Sequence, residues 1–260
     1  VHHYPASKYH FYKMWQEICE LYEDYSFIYW NNDDDFASLK GIKIAEQFLQ
    51  ENPEYSVAQG QVVQMQTYSA INWGYGTSEW FKEDKKDSDT LLRVRNTFRP
   101  SVYVNPHILT RMEVWSKAIN IVCNSLNSGA SLGPIRFWDK IFTMVAACEG
   151  YRKTNLDCIS LIRLHRNLSG AVTLNNPKVS PVLERDVQYN AIFDRLKNNN
   201  PIAGMLHKEK EIDLNLANKI TVSALKMKDS DFKIDDDIVQ KTPVFRKQEE
   251  LRVLVEILNK

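Results

Sequence analysis

Glycine is scarce in this chain, 9 of 260 residues, about half the usual share of roughly 7%. Phosphate-cradling loops therefore have little material to be built from, and neither G-x-G-x-x-G nor G-x-x-x-x-G-K-[ST] occurs. An excess of one charge is missing too. The 33 basic side chains are matched by 33 acidic ones and the pI is near 7.1, so no basic nucleic-acid footprint is expected. No apolar run approaches the roughly 20 residues that span a bilayer. A soluble, cytoplasmic protein is expected, with peripheral association at the inner face of a membrane left open. The four cysteines, Cys19, Cys123, Cys148 and Cys158, lie far apart and lack C-x-x-C spacing, which predicts reduced, buried thiols rather than a zinc site or redox dithiol. The opening VHHYPASKYH has no signal-peptide layout.

What is present is ordinary globular material, 43% hydrophobic and 25% charged, which excludes wholesale disorder. Residues 8–23 carry Phe11, Trp15, Ile18, Cys19 and Tyr22 at helical spacing. Then YSFIYW, residues 25–30, reads as a strand buried on both faces in a parallel sheet. It stops at Asn31-Asn32-Asp33-Asp34-Asp35. LKGIKIAEQFLQENP predicts a helix closed at Asn52-Pro53, and YSVAQGQVVQMQTY an extended segment bent at Gly60. Strand, acidic turn, helix and strand make a βαβ unit. Residues 69–99 read as an irregular surface loop or lid. Residues 108–126 and 137–150 read as helices, and residues 157–166 as a final strand. Beyond Gly170 the chain turns polar, with helical candidates near residues 183–197, 212–228 and 246–259. A boundary near residue 175 divides an α/β domain, residues 1–175, from a helical extension, residues 176–260.

The acidic turn carries the most chemistry. In open α/β sheets the carboxyl ends of strands border the ligand crevice, and in extended chain Asp33 and Asp35, two residues apart, point the same way. Such a pair suits Mg²⁺ or Mn²⁺ with substrate phosphates completing the shell. The plainer alternative is an Asx-rich cap on the next helix. Asp235, Asp236 and Asp237 form a second acidic triplet, but in a polar stretch with no buried strand before it, so they read as a solvated turn.

YSFIYWNNDDDF followed by GIKIAEQFLQENPEYSVAQGQ resembles the D-x-D segment of GT-A fold glycosyltransferases, especially family-2-like enzymes. SVYVNPHILTRMEVW is similar to the region after their acceptor loop, FWDKIFTMVAACEG to the acidic motif that carries the catalytic base, and LIRLHR to the basic segment that follows. The resemblance covers residues 8–168. It implies a GT-A, Rossmann-like sheet flanked by helices. It also implies a metal-dependent, inverting transfer of a sugar from a nucleotide-sugar donor to a saccharide or other hydroxyl acceptor.

Carried onto this sequence, Asp33 and Asp35 with His165 are the metal-ligand candidates, and Mn²⁺ or Mg²⁺ the cofactor. Asn32, Asp34, Arg163 and Arg166 would bind the donor, and Asp139 would be the base. Trp73, Tyr75, His107 and Arg111 would meet the acceptor. Each also has a structural reading: Asp139 as a first-turn carboxylate on the helix dipole, Arg163 and His165 as a solvated strand end, the loop aromatics as packing. Only 24 residues precede Tyr25, where the family has two strands and their crossovers, so the N-terminal nucleotide half is expected to lie outside this sequence. Two other functions stay open, a non-catalytic carbohydrate- or protein-interaction module and a nucleotidyltransferase.

Overall fold

A computed structural model of the chain describes residues 11–31, 35–67, 73–77, 88–96, 107–126, 138–165 and 200–225. In chain order these form α1 (Phe11–Leu21), β1 (Phe27–Tyr29), β2 (Asp35–Ala37), α2 (Leu39–Glu51), β3 (Tyr55–Thr67), β4 (Trp73–Thr77), α3 (Thr90–Asn96), β5 (Leu109–Arg111), α4 (Met112–Leu126), α5 (Trp138–Glu149), β6 (Tyr151–His165), α6 (Pro201–Lys210) and α7 (Leu214–Leu225). The helical candidates near 183–197 and 246–259 lie outside the described residues. Among the described residues no helix is long and apolar enough to cross a membrane.

The protein is a mixed α/β structure. Its strands run in the order β1-β5-β3-β6-β2, with β4 also on β3. β3 and β6 are parallel, while β1 and β3 are both antiparallel to β5, β2 to β6 and β4 to β3. The expected parallel pairing of YSFIYW is thus corrected: β1 is a short strand whose partner is antiparallel β5. An unbroken apolar run reports that both faces are covered, not which way the neighbour runs. Both faces are covered. Phe27 and Tyr29 pack against α2, and Ile28 and Trp30 against the helices on the opposite side.

Two further expectations change. Residues 108–111 belong mostly to β5 rather than to the first turn of α4. Ile108 and Met112 nevertheless reach the same core, so the sequence pattern mimicked a longer helix. Residues 69–99 are not structureless throughout: β4 pairs with β3 from Val63↔Thr77 to Thr67↔Trp73, and α3 is capped by Asp89, whose Oδ1 accepts from the amides of Leu91 and Leu92 at 2.8 and 3.3 Å.

α2 covers one face of the sheet. Its amphipathic stripe buries Ala45 and Leu49 against Tyr55, Ala58 and Leu109. Ser38 caps it, accepting from the amide of Gly41 at 3.1 Å. Gly41 is obligatory for close approach, because a Cβ there would lie 1.9 Å from the carbonyl oxygen of Ile159. The other face carries α1, α4 and α5, with α3, α6 and α7 joined to the same core through Val94, Ile202, Leu206 and Ala217. At its centre Trp15, Trp30, Trp115 and Trp138 form an aromatic cluster with ring centroids 4.6–6.3 Å apart. Edge-on and offset packing adds about 0.5–1.5 kcal/mol per pair beyond burial.

The sheet is curled. β1 and β2 stand at opposite ends of the strand order, yet the Asn31 amide Nδ2 donates to the Asp35 carbonyl at 2.9 Å, and the Tyr29 hydroxyl donates to the Ser160 carbonyl on β6 at 3.4 Å. The register between β3 and β6 slips between Tyr55 and Val57 and repeatedly between Ala58 and Val62. Such bulges sharpen twist and bend a strand. The bend expected at Gly60 falls inside this run, and a Cβ at Gly60 would lie 2.2 Å from the Cys158 carbonyl oxygen.

Candidate functional site

Because β1, β3 and β6 run the same way, their carboxyl ends lie at one end of the sheet, together with the amino ends of β2, β4 and β5. Ligand crevices of open α/β sheets form at such an end. Asp35 opens β2 there, His107 precedes β5, and Arg163 and His165 close β6. α5 feeds into β6 at the opposite end, where the amide of Tyr151 donates to the Glu54 carbonyl at 2.9 Å. Its amino terminus, with Asp139, therefore points back to the crevice end. The Trp138 ring is 6.0 Å from that of Trp30, the residue after β1.

Across the sheet, position 35 of β2 pairs with position 163 of β6, which pairs with position 64 of β3, which pairs with Gly76 of β4. At strand spacings near 4.8 Å this row is about 14 Å wide. Tyr75 occupies the next row, opposite Met65 and position 164, and Trp73 lies two residues further, opposite Thr67. Asn32, Asp33, Asp34 and Arg166 lie outside the described residues.

Asp35 is 8% exposed and His107 4%. His107 Nδ1 is 3.1 Å from the Trp30 carbonyl; since a carbonyl can only accept, this nitrogen carries the proton. Nε2 then faces Asp35, 4.0 Å from Oδ2. Tyr29 borders the same carboxylate: burial first, and then the charge of Asp35, push its phenol well above the ordinary value. The Asn31 side chain and the Asp35 main chain are joined by the bond between them. Tyr29 and the Trp30 carbonyl had no signal in the sequence, because their contacts with Ser160 and His107 join residues remote in the chain.

Asp139 stands in the first turn of α5. Its Oδ1 accepts from the amide of Lys140 at 2.8 Å, and its carbonyl accepts from the Thr143 hydroxyl at 2.6 Å. Arg111 is placed differently. It ends β5, with a bend at Ile108 between it and His107, rather than lying one helical turn away. Its Nε donates to the Tyr55 carbonyl at 2.7 Å and its Nη2 to those of Leu49 and Asn52 at 2.6 and 3.2 Å. It therefore holds the carboxyl end of α2, with the guanidinium 5.6 Å from the centre of the Phe27 ring.

Among the described residues no group of three or more His, Cys, Asp or Glu is gathered to hold a metal ion. Asp35 and His107 supply two donors, a carboxylate and an imidazole, a set that fits Mn²⁺ better than Mg²⁺. All four cysteines are free and buried. No model of a known protein family matches the chain, and no curated protein matches it at a significant level.

Proposed function

We propose that the chain is a GT-A-like, metal-dependent glycosyltransferase whose donor diphosphate is held at the turn from β1 to β2. The observation that carries this reading is the buried Asp35 carboxylate at the first residue of β2, at the end of the sheet towards which α5 directs Asp139.

In this reading the Asp33 and Asp35 carboxylates, with His165, hold a divalent cation, which when bound offsets charge on the nucleoside diphosphate. Arg163 and Arg166, together with Asn32 and Asp34, orient the donor. Asp139 takes the proton from the acceptor hydroxyl as its oxygen attacks the sugar C1. The C1–oxygen bond to the diphosphate breaks, and the bonding electrons leave with the nucleotide. His107, Trp73 and Tyr75 serve the acceptor.

The test is calorimetric titration of nucleoside diphosphates in the presence of Mn²⁺, on this chain and on Asp35→Asn. Binding that needs Mn²⁺ and falls at least tenfold in the variant supports the reading. Absence of binding at millimolar nucleotide, with and without metal, overturns it and favours an interaction module.

A further inference from the structure

We propose that the cleft between α1 and α4 is a docking surface for a Lys/Arg-rich segment of a partner protein. The cleft lies at the amino end of β1, where the Met112 amide of α4 donates to the Ser26 carbonyl at 3.0 Å. That is the end of the sheet opposite the crevice with Asp35, so the docking role stands apart from the proposed activity.

The cleft starts from a one-sided stretch of sequence. Between positions 14 and 39 the chain has no lysine, arginine or histidine, although the two signs balance over its whole length. Gln16, Glu20 and Glu23 recur at helical spacing, as do Glu113, Ser116 and Asn120. α1 with the turn after it, and α4 opposite, therefore each present a polar stripe, and the two stripes line one cavity of about 660 Å³. Ligand pockets span roughly 300–1,000 Å³.

The charge of this cavity is not compensated within the protein. Glu20, Glu23, Asp24 and Glu113 line it, and none of the four has an ion-pair partner among the described residues. Arg111, the one cation in the wall, engages Nε and Nη2 with the carbonyls of Tyr55, Leu49 and Asn52. Three of the carboxylates gather at the carboxyl end of α1, whose last turn has no basic residue. That end is the negative pole of the helix dipole, so these charges oppose the helix. A local arrangement that works against the fold is expected where a surface is kept for function.

The complementary ligand is cationic and extended. Among the described residues no three acidic groups are gathered closely enough to hold one metal ion, so the charges have to be met one by one, by cations strung along a chain. Nucleic acids and anionic lipids are repelled by the same field. Tyr25 lines the cavity and is 63% exposed, with its ring edge-on to that of Tyr22 at 5.6 Å and 73°. A tyrosine face attracts guanidinium and ammonium groups within about 6 Å, and tyrosines are frequent anchors of protein interfaces. A basic peptide segment answers both the carboxylates and the ring.

The test is fluorescence anisotropy of a labelled peptide of alternating arginine and alanine, with a peptide of alternating glutamate and alanine, and free spermine, for comparison. The arginine peptide should bind and the glutamate peptide should not. Glu20→Gln/Glu23→Gln/Asp24→Asn should weaken binding at least tenfold, and Tyr25→Ala at least threefold. Glu46→Gln/Glu51→Gln/Asp157→Asn removes the same charge elsewhere and should change affinity less than twofold. The cleft triple variant should also unfold at a higher temperature than wild type, since it removes charge that opposes the α1 dipole. Equal weakening by the two triple variants would show attraction to net charge alone and overturn the proposal. Absence of binding at millimolar peptide would overturn it as well. Spermine binding as tightly as the peptide, with Tyr25→Ala unchanged, would make the cleft a small-cation site instead. A cleft variant less stable than wild type would assign its carboxylates to the fold.

Discussion

Arg111 and Tyr55 are joined by a 2.7 Å hydrogen bond from the guanidinium Nε to a main-chain carbonyl, and the same guanidinium reaches Leu49 and Asn52 at the end of α2. One side chain on β5 therefore satisfies the Leu49 carbonyl in the last turn of α2 and adds a donor to the carbonyls of Asn52 and Tyr55, at the point where the chain passes into β3. Arg93 plays the matching part for α5, donating from Nε to the Ala147 carbonyl at 2.8 Å and from Nη2 to that of Cys148 at 3.4 Å. Each helix that precedes one of the two long parallel strands is thus closed by an arginine from elsewhere in the chain.

Arg111→Ala should destabilise the fold by about 2–3 kcal/mol, the cost of stranding partly buried carbonyls that had a charged donor, and Arg111→Lys should recover only part of it, since an ammonium cannot reach in the same fork. Thermal or urea unfolding measures this. Under the proposed metal-dependent reading, Mn²⁺ affinity should stay within about twofold of wild type, because the side chain acts at the far end of β5.

Gly41→Ala and Gly204→Ala should move stability in opposite directions. At Gly41 the new methyl would meet the Ile159 backbone at 1.9 Å, forcing α2 off β6 at a cost of about 2–3 kcal/mol or more. At Gly204, inside α6, a Cβ meets nothing within 4 Å, and alanine should stabilise the helix by about 0.5–1 kcal/mol. Urea midpoints of the two variants check both signs.

Lys117 on α4 pairs with Glu149 of α5 at 2.9 Å and with Glu209 of α6, and Lys210 reaches the same Glu149 at 3.7 Å. Burial alone would lower the Lys117 pKa, but its hydrogen bonds to Glu209 and Glu149 outweigh that and raise it above the ordinary value. Lys117→Ala should cost no more than about 1–2 kcal/mol, as two partly exposed pairs at up to about 1 kcal/mol each. The gap between variant and wild type in thermal unfolding should shrink on going from low salt to 0.5 M; a gap unchanged by salt would rule out an electrostatic origin.

Stability should fall as pH rises above about 9. Burial, and then Cys19, push the Cys123 thiol up to about 11 from an ordinary value of 9.0. Burial likewise raises Cys148, Cys19 and Tyr29. All four are held neutral by the fold, while the unfolded chain loses thiol protons above about 9 and phenol protons above about 10. The stabilisation is complete below those values and disappears as pH climbs through the raised ones. Urea midpoints at pH 7.5, 9.5 and 10.5 should decrease in that order.

The sequence by itself determined α1, α2, α4, α5 and α7 and their buried faces, while α3 and α6 went unread. Trp15 with Cys19, Ala45 with Leu49, and Trp115 with Ile119 lie on buried helical stripes, because burial selects apolar residues at the helix period wherever a helix rests on a core. It also determined that an acidic segment follows a short apolar strand and that the extended segment is irregular about Gly60.

What only the tertiary structure decided is pairing. YSFIYW looked the same whichever way its neighbour ran, so its antiparallel partner β5 was invisible, as was the strand identity of residues 109–111. The meeting of Asp35 with His107, 72 positions apart, depends on the curl that bulges in β3 and β6 impose, and the anchoring of Arg111 on the end of α2 depends on β5 lying beside β1 and β3. Such contacts are fixed by strand order and register, which join residues remote in the chain, and local periodicity carries no trace of them.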